Sequence, residues 1–146
     1  RDHELLSFLE ICMDDPFLKM QVWNNQVWQL AYGYTQPDTR KLDEFTSLEL
    51  LELAKAHLQE FSHVGFTETF ADDAGTICRA LKFPKRRRGE PMLIENATPQ
   101  RHSFVEQPPA TQEILMRMTE LDRELYDYAR AQRRALEGSR SGWWRW

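Results

Sequence analysis

The sequence predicts a mostly α-helical chain with one or two short strands, and three observations carry that expectation. Thr46-Ser47-Leu48-Glu49 matches a capping box, in which a hydroxyl and a carboxylate exchange hydrogen bonds with backbone amides at a helix start. Behind it, Leu50, Leu51, Ala54 and Leu58 recur at the 3.6-residue period of a helix with one apolar face. A second, longer run of that period extends from Thr111 to about Glu137 and aligns Ile114, Met118, Leu121, Leu125 and Tyr128. Between these, Phe61 to Phe66 is short, apolar and rich in β-favouring residues, and it reads as a single buried strand.

The remaining elements follow in chain order. Glu4 to Met13 carries Leu5, Leu6, Phe8, Leu9 and Cys12 and fits a short amphipathic helix. Asp14-Asp15-Pro16 ends it, because proline disfavours the helical region for the residue before it. Trp23 to Tyr34 is aromatic and amide-rich and reads as helix or irregular chain; Gln36-Pro37-Asp38 is a turn. The helix opened by the capping box runs from Ser47 to about Glu60. Thr67 to Leu81 reads as helical with Phe70, Ala74, Ile77, Cys78 and Leu81 facing inward, and Phe83-Pro84 stops it. Periodicity is lost from Pro84 to Pro109, a stretch long enough to point to a loop that is either functional or disordered. In the last helical run, Thr119 and Asp122 are suited to a second N-cap, so two helices are expected to meet near Met118. Gly138 is the expected stop. Residues 1–138 are expected to form a single unit, followed by a flexible Arg- and Trp-containing tail at 139–146.

Composition sets the outer limits. The chain has 146 residues, is 41% hydrophobic and carries 29% charged residues, which is enough apolar material for a core and excludes wholesale disorder. The net charge of −4 argues against nucleic-acid binding through overall charge, so any anion must be met by a local cluster. Two cysteines, Cys12 and Cys78, form no CxxC pair, and each is expected as a buried thiol in an apolar run. The longest uncharged stretch, Met20 to Pro37, holds six Asn and Gln side chains whose amides oppose a transmembrane reading. Residue 1 is Arg rather than Met and no signal-peptide pattern follows it, so the chain is expected to be a piece of a longer protein or a processed product.

The common catalytic signatures are absent: no HExxH, GxSxG, GxxxxGK[ST] or GxGxxG occurs. His3, His57, His63 and His102 form no metal-ligand spacing with Cys or carboxylates, no metal is expected, and His57 and His63 read as structural. Asp14-Asp15 and Asp72-Asp73 read as helix punctuation near positive dipole ends. The main electrostatic feature is Lys82 with Lys85, Arg86, Arg87 and Arg88, five cations in seven residues without an acid. It reads either as a solvated surface or as an anion site, since guanidinium forks match phosphate and sulfate oxygens. Asn96-Ala97-Thr98 fits the N-glycosylation pattern, which matters only in a secretory compartment.

Three blocks in order resemble the C-terminal part of the carbohydrate sulfotransferases, the family of the heparan and uronyl 2-O-sulfotransferases and their bacterial relatives. Ala54 to Glu68 (AKAHLQEFSHVGFTE) is similar to the family's A-x-x-x-L…F-x-x-V-G-x-T-E block. Leu81-Lys82-Phe83-Pro84, the basic loop and Glu95-Asn96-Ala97-Thr98-Pro99 resemble its nucleotide-covering loop. Leu121-Asp122-Arg123-Glu124-Leu125-Tyr126-Asp127-Tyr128-Ala129 is similar to its closing L-D-x-x-L-Y-x-Y-A helix. The likeness spans roughly Trp23 to Arg134.

The resemblance implies an α/β fold of the P-loop-like sulfotransferase type, of which this chain is the mostly helical C-terminal part. It implies transfer of a sulfuryl group from 3′-phosphoadenosine-5′-phosphosulfate to a hydroxyl on a sugar or oligosaccharide acceptor. Asn96, Thr98 and Arg101 fall where the family's loop meets the nucleotide, with Arg86, Arg87 and Arg88 adding charge. Asn25 and Gln26 resemble an amide pair near the acceptor side. Val64, Gly65 and Glu68 are read as structural, and Tyr126 and Tyr128 as core or core-edge. The 5′-phosphosulfate loop and the catalytic base belong to the family's N-terminal half and find no counterpart here, so the chain alone is expected not to turn over. A bacterial cytoplasm is the expected compartment, or the Golgi lumen for a eukaryotic relative. A second reading fits the same residues: a small helical interaction module whose contacts come from the basic loop and Trp143, Trp144 and Trp146.

Overall fold

The first helix, α1 (Asp2–Asp14), stops where the sequence places a proline, and Asp15 turns that stop into a start. Its carboxylate accepts hydrogen bonds from the Phe17 and Leu18 N–H groups, both at 2.9 Å, and so caps α2 (Pro16–Val22), with Pro16 at the first helical position. The computed structural model describes residues 2–33, 44–83 and 103–141. They fall into two units, Arg1–Phe61 with Ser103–Trp146, and Ser62–His102.

In the first unit, α3 (Asn25–Trp28) runs into a π-helical turn at Gln29–Gly33, which answers the Trp23-to-Tyr34 expectation as broken helix. α4 (Ser47–Leu58) opens with the predicted box: Thr46 Oγ1 accepts from the Glu49 N–H at 3.2 Å, and Glu49 accepts from the Thr46 N–H at 2.8 Å. The last run divides into α6 (Pro109–Met118) and α7 (Glu120–Ser141), meeting at Thr119. α7 passes through Gly138 and ends at Ser141, so the expected glycine stop does not operate. A lone glycine inside a helix costs only about 1 kcal/mol, which the preceding turns of α7 outweigh.

Two apolar clusters hold this unit. Val27, Trp28 and Ala31 pack with Phe45, with Leu50, Leu51 and Ala54 of α4, and with Leu121 and Leu125 of α7. Burying a Leu or Val of this kind contributes roughly 1.5–3 kcal/mol. Leu9 of α1 joins Ile114 and Met118 of α6 in a smaller cluster. Cys12 is buried in α1, as expected. Trp28 and Tyr32 stack at 4.4 Å, with Phe45 edge-on to Tyr32.

The described part of the second unit holds a 3₁₀ turn at Thr67–Thr69 and α5 (Phe70–Ala80). The expected strand over Phe61–Phe66 is not formed, and no strand occurs among the described residues. A strand needs a partner for its ladder. Here the Phe66 N–H instead donates to the Asp73 carboxylate at 2.9 Å. A second correction concerns α5. Phe70, Ile77 and Leu81 are 60%, 41% and 62% exposed, Ala74 is half-buried and Cys78 is exposed. The helix has the predicted amphipathic period, but no second helix of its own unit covers that stripe among the described residues. The chain is thus mostly helical, and among the described residues no helix is long and apolar enough to cross a membrane.

Candidate functional site

Asn96, Thr98, Arg101, Arg86, Arg87 and Arg88 all lie outside the described residues, as do Trp143, Trp144 and Trp146. The structure describes what precedes and follows the basic loop, and how the flanking blocks are fixed.

The opening helical residues of the first block and the third block share one core. Ala54 of α4 and Leu121 and Leu125 of α7 belong to the same buried cluster. Above it, Gln59 Nε2 donates to the Tyr128 hydroxyl, and the Lys55 ammonium sits 5.6 Å over the Tyr128 ring while pairing with Glu52 at 2.8 Å. Tyr128 is half-buried and Tyr126 lies at the surface edge, in line with a packing role for both. His57 Nδ1 donates to the Leu30 carbonyl at 2.7 Å, tying α4 to the π-helical turn.

The junction of α6 and α7 is fastened by residues far away in sequence. Asn24 is fully buried in a left-handed conformation (φ 41°, ψ 49°). Its N–H donates to the Met118 carbonyl at 2.7 Å, and its Oδ1 accepts from the Leu121 and Asp122 N–H groups at 2.8 and 3.2 Å. It therefore closes the end of α6 and caps the start of α7. Asp122 returns the favour: its carboxylate accepts from the Val27 N–H at 2.8 Å and from the Gln26 N–H, capping α3. Burial raises the Asp122 carboxyl above its ordinary value of 3.8, against the lowering effect of those two amides. Sequence reasoning singled out Asp122 as a cap, but for its own helix, and singled out Asn25 and Gln26 rather than Asn24. Asn25 Nδ2 donates locally to the Gln21 carbonyl at 3.0 Å, and Gln26 is exposed.

In the second unit, Asp73 is the organising group. It is 3% exposed, and its Oδ2 accepts from the Phe66 N–H at 2.9 Å and from the Thr69 hydroxyl at 2.5 Å. His63 Nε2 lies 3.4 Å from Oδ1 without a hydrogen bond between them, so His63 borders this pin and forms no strand. Gly65 allows a close approach: a β-carbon there would stand 3.2 Å from the Asp73 β-carbon, a tight contact. Asp73 is thus more than helix punctuation, whereas exposed Asp72 fits that role. The signal in the sequence was a carboxylate four residues after Thr69 with a glycine just upstream; nothing local announced that the two would touch.

α5 then ends at the edge of the basic loop. The Lys82 N–H donates to the Arg79 carbonyl at 3.2 Å and the Phe83 N–H to the Cys78 carbonyl at 2.9 Å, with Lys82 at φ 56°. This paired pattern closes the helix by a left-handed residue. On the far side of the loop, Ser103 and Glu106 form a second capping box around a 3₁₀ turn, Phe104–Glu106. No group of three or more His, Cys, Asp or Glu side chains converges on a metal-sized site among the described residues. No protein-family model matches the chain, nor does any curated protein or solved structure.

Proposed function

We propose that the chain is the helical C-terminal part of a sulfotransferase that moves a sulfuryl group from 3′-phosphoadenosine-5′-phosphosulfate to a hydroxyl of a carbohydrate-type acceptor. The observation that carries this reading is the order of the three resembling blocks, with Ala54 and Leu58 at the start of the first block packed in one cluster with Leu121 and Leu125 of the third.

In this reading the acceptor oxygen attacks sulfur, the bond from sulfur to the bridging phosphate oxygen breaks, and the hydroxyl proton leaves to a base. The base and the 5′-phosphosulfate loop come from the N-terminal half of the fold. This chain supplies charge and hydroxyl contacts to the bisphosphate nucleotide: Arg101, Arg86, Arg87 and Arg88 as cations, Thr98 as a donor and Asn96 as a polar contact. The setting is a bacterial cytoplasm or, for a eukaryotic chain, the Golgi lumen.

The test is calorimetric titration of adenosine 3′,5′-bisphosphate into the folded chain, beside Arg101→Ala and Thr98→Ala. Binding weakened by both substitutions supports the reading. A blank from a folded chain, repeated when the nucleotide-binding half is supplied, overturns it.

The interaction-module reading has its own observation. Leu5, Phe8 and Ile11 form an exposed apolar stripe on α1, 37%, 54% and 57% accessible. A chain that ignores the nucleotide in both formats is left with that reading.

A further inference from the structure

Two helices of the first unit carry opposite charges, and each also exposes apolar side chains. From Asp2 to Asp15 the sequence holds five acids and no lysine or arginine. α1 occupies that stretch, and its period sets Leu5, Phe8 and Ile11 in one row that finishes on Asp14, with Glu10 alongside. Phe8 and Ile11 are 54% and 57% exposed, and Glu10 and Asp14 are exposed as well. On another side of the helix, Leu9 packs with Ile114 and Met118 of α6. α1 therefore has its core face already and keeps a second apolar face edged with carboxylates.

The far end of α7 shows the reverse. Its last buried residue among those described is Ala129, yet the helix runs on to Ser141, about 18 Å further at the ordinary rise per residue. Tyr128 to Leu136 holds Arg130, Arg133 and Arg134 and no acid, and Leu136 is 63% exposed. Helix that projects beyond a core draws little from tertiary packing, which supplies most helical stability in proteins.

We propose that the chain self-associates, the acid-edged row of α1 in one copy receiving the basic end of α7, around Leu136, from a second copy. The occupant is a second copy because the complement is written in this same chain. Phe8 and Ile11 offer an apolar floor, Leu136 an apolar insert, and Glu10 and Asp14 the carboxylates for Arg133 and Arg134. Both faces are exposed within one copy, so neither covers the other there. Each copy carries one of each, which lets two copies about a twofold axis make the contact twice. The inference names a partner for the interaction-module reading and asks nothing of the sulfotransferase reading.

Sedimentation velocity of the full chain over a concentration series, at low and at high salt, is the test. A monomer–dimer equilibrium that weakens as salt rises is expected, because salt screens the charges at the rim. Phe8→Ser, at an exposed position, is expected to keep the Tm and raise the dissociation constant about tenfold or more. Charge reversal gives the sharper readout. Glu10→Arg with Asp14→Arg in one protein, and Arg133→Glu with Arg134→Glu in another, are each expected to stay monomeric alone and to associate when mixed. Circular dichroism checks that both are folded. A wild type that stays monomeric across the series overturns the inference and leaves the interaction-module reading with another partner. A dimer that either reversed protein still forms alone, or a mixture of the two that does not associate, places the contact elsewhere and overturns it too. The nucleotide titration is a separate measurement, so the sulfotransferase reading stands or falls apart from these outcomes.

Discussion

In the unit built from the two ends of the chain, α4 sends Leu50, Leu51 and Ala54 against Val27, Trp28, Leu121 and Leu125. In Ser62–Phe83, α5 carries an apolar stripe of equal regularity and leaves Phe70, Ile77 and Leu81 exposed. Periodicity is a local property and specifies the helix in both places. Burial is supplied by sequence-distant partners, which α4 has and α5, among the described residues of its unit, does not. The described part of the second unit is held instead by a polar pin, with Asp73 accepting from Phe66 and Thr69. One region is organised by apolar packing, the other by a buried carboxylate.

The contrast is sharpest in paired truncations. Leu50→Ala is expected to cost about 2–5 kcal/mol, because a fully packed site leaves a cavity, whereas Ile77→Ala is expected to stay within about 1 kcal/mol. Urea denaturation of both variants checks this; equal losses would erase the distinction between the units. Asn24→Ala comes next, at about 2–3 kcal/mol, from an uncapped α7 and a strained left-handed alanine. Asn24→Gly, which keeps the backbone freedom, isolates the cap in the same assay.

Asp73→Ala is expected to cost about 1–3 kcal/mol by leaving a buried amide and hydroxyl without an acceptor. Hydrogen exchange should show faster exchange at the Phe66 amide with little change at Leu50 or Leu125. A uniform loss of protection would mean that the pin holds the whole chain rather than one unit.

The smallest effect is a pH dependence. Asp122 has its folded-state pKa raised above the ordinary 3.8, so the folded chain holds the proton more tightly than the unfolded chain. The contribution of Asp122 to stability is therefore fully present below 3.8 and declines as pH rises through the window between that value and the folded pKa. Asp122→Asn, which keeps an oxygen acceptor for the Val27 N–H, should flatten that decline in stability curves recorded across the acid range. An unchanged slope would show that the carboxylate is not the source.

Legibility followed the range of the interaction. The Thr46 capping box was readable because both partners lie within four residues, and the break near Met118 because Thr119 and Asp122 are poor helix-interior residues. The stop at Asp14-Asp15-Pro16 was readable through the proline, but the start of α2 under an Asp15 cap was not. The destination of the Asp122 carboxylate, 95 residues away at Val27, left no local mark, and neither did the reach of Asn24 to Leu121. The strand expectation failed because β-favouring composition at Phe61–Phe66 states a preference and not a partner. The anion residues Arg86, Arg87, Arg88, Asn96, Thr98 and Arg101 were named from charge and resemblance and fall outside the described residues.

The reciprocal caps of Asn24 and Asp122 have a consequence for how the chain tolerates change in its middle. They stitch the first sixty residues to the last forty, so the second unit is, in chain terms, an insertion between two halves of the first. Bringing such ends together costs closure entropy that grows only with the logarithm of the intervening length, about 0.6 kcal/mol for each doubling. The Ser62–His102 stretch can therefore lengthen at little closure cost to the helices that precede and follow it in sequence, so added residues there tax the first unit least.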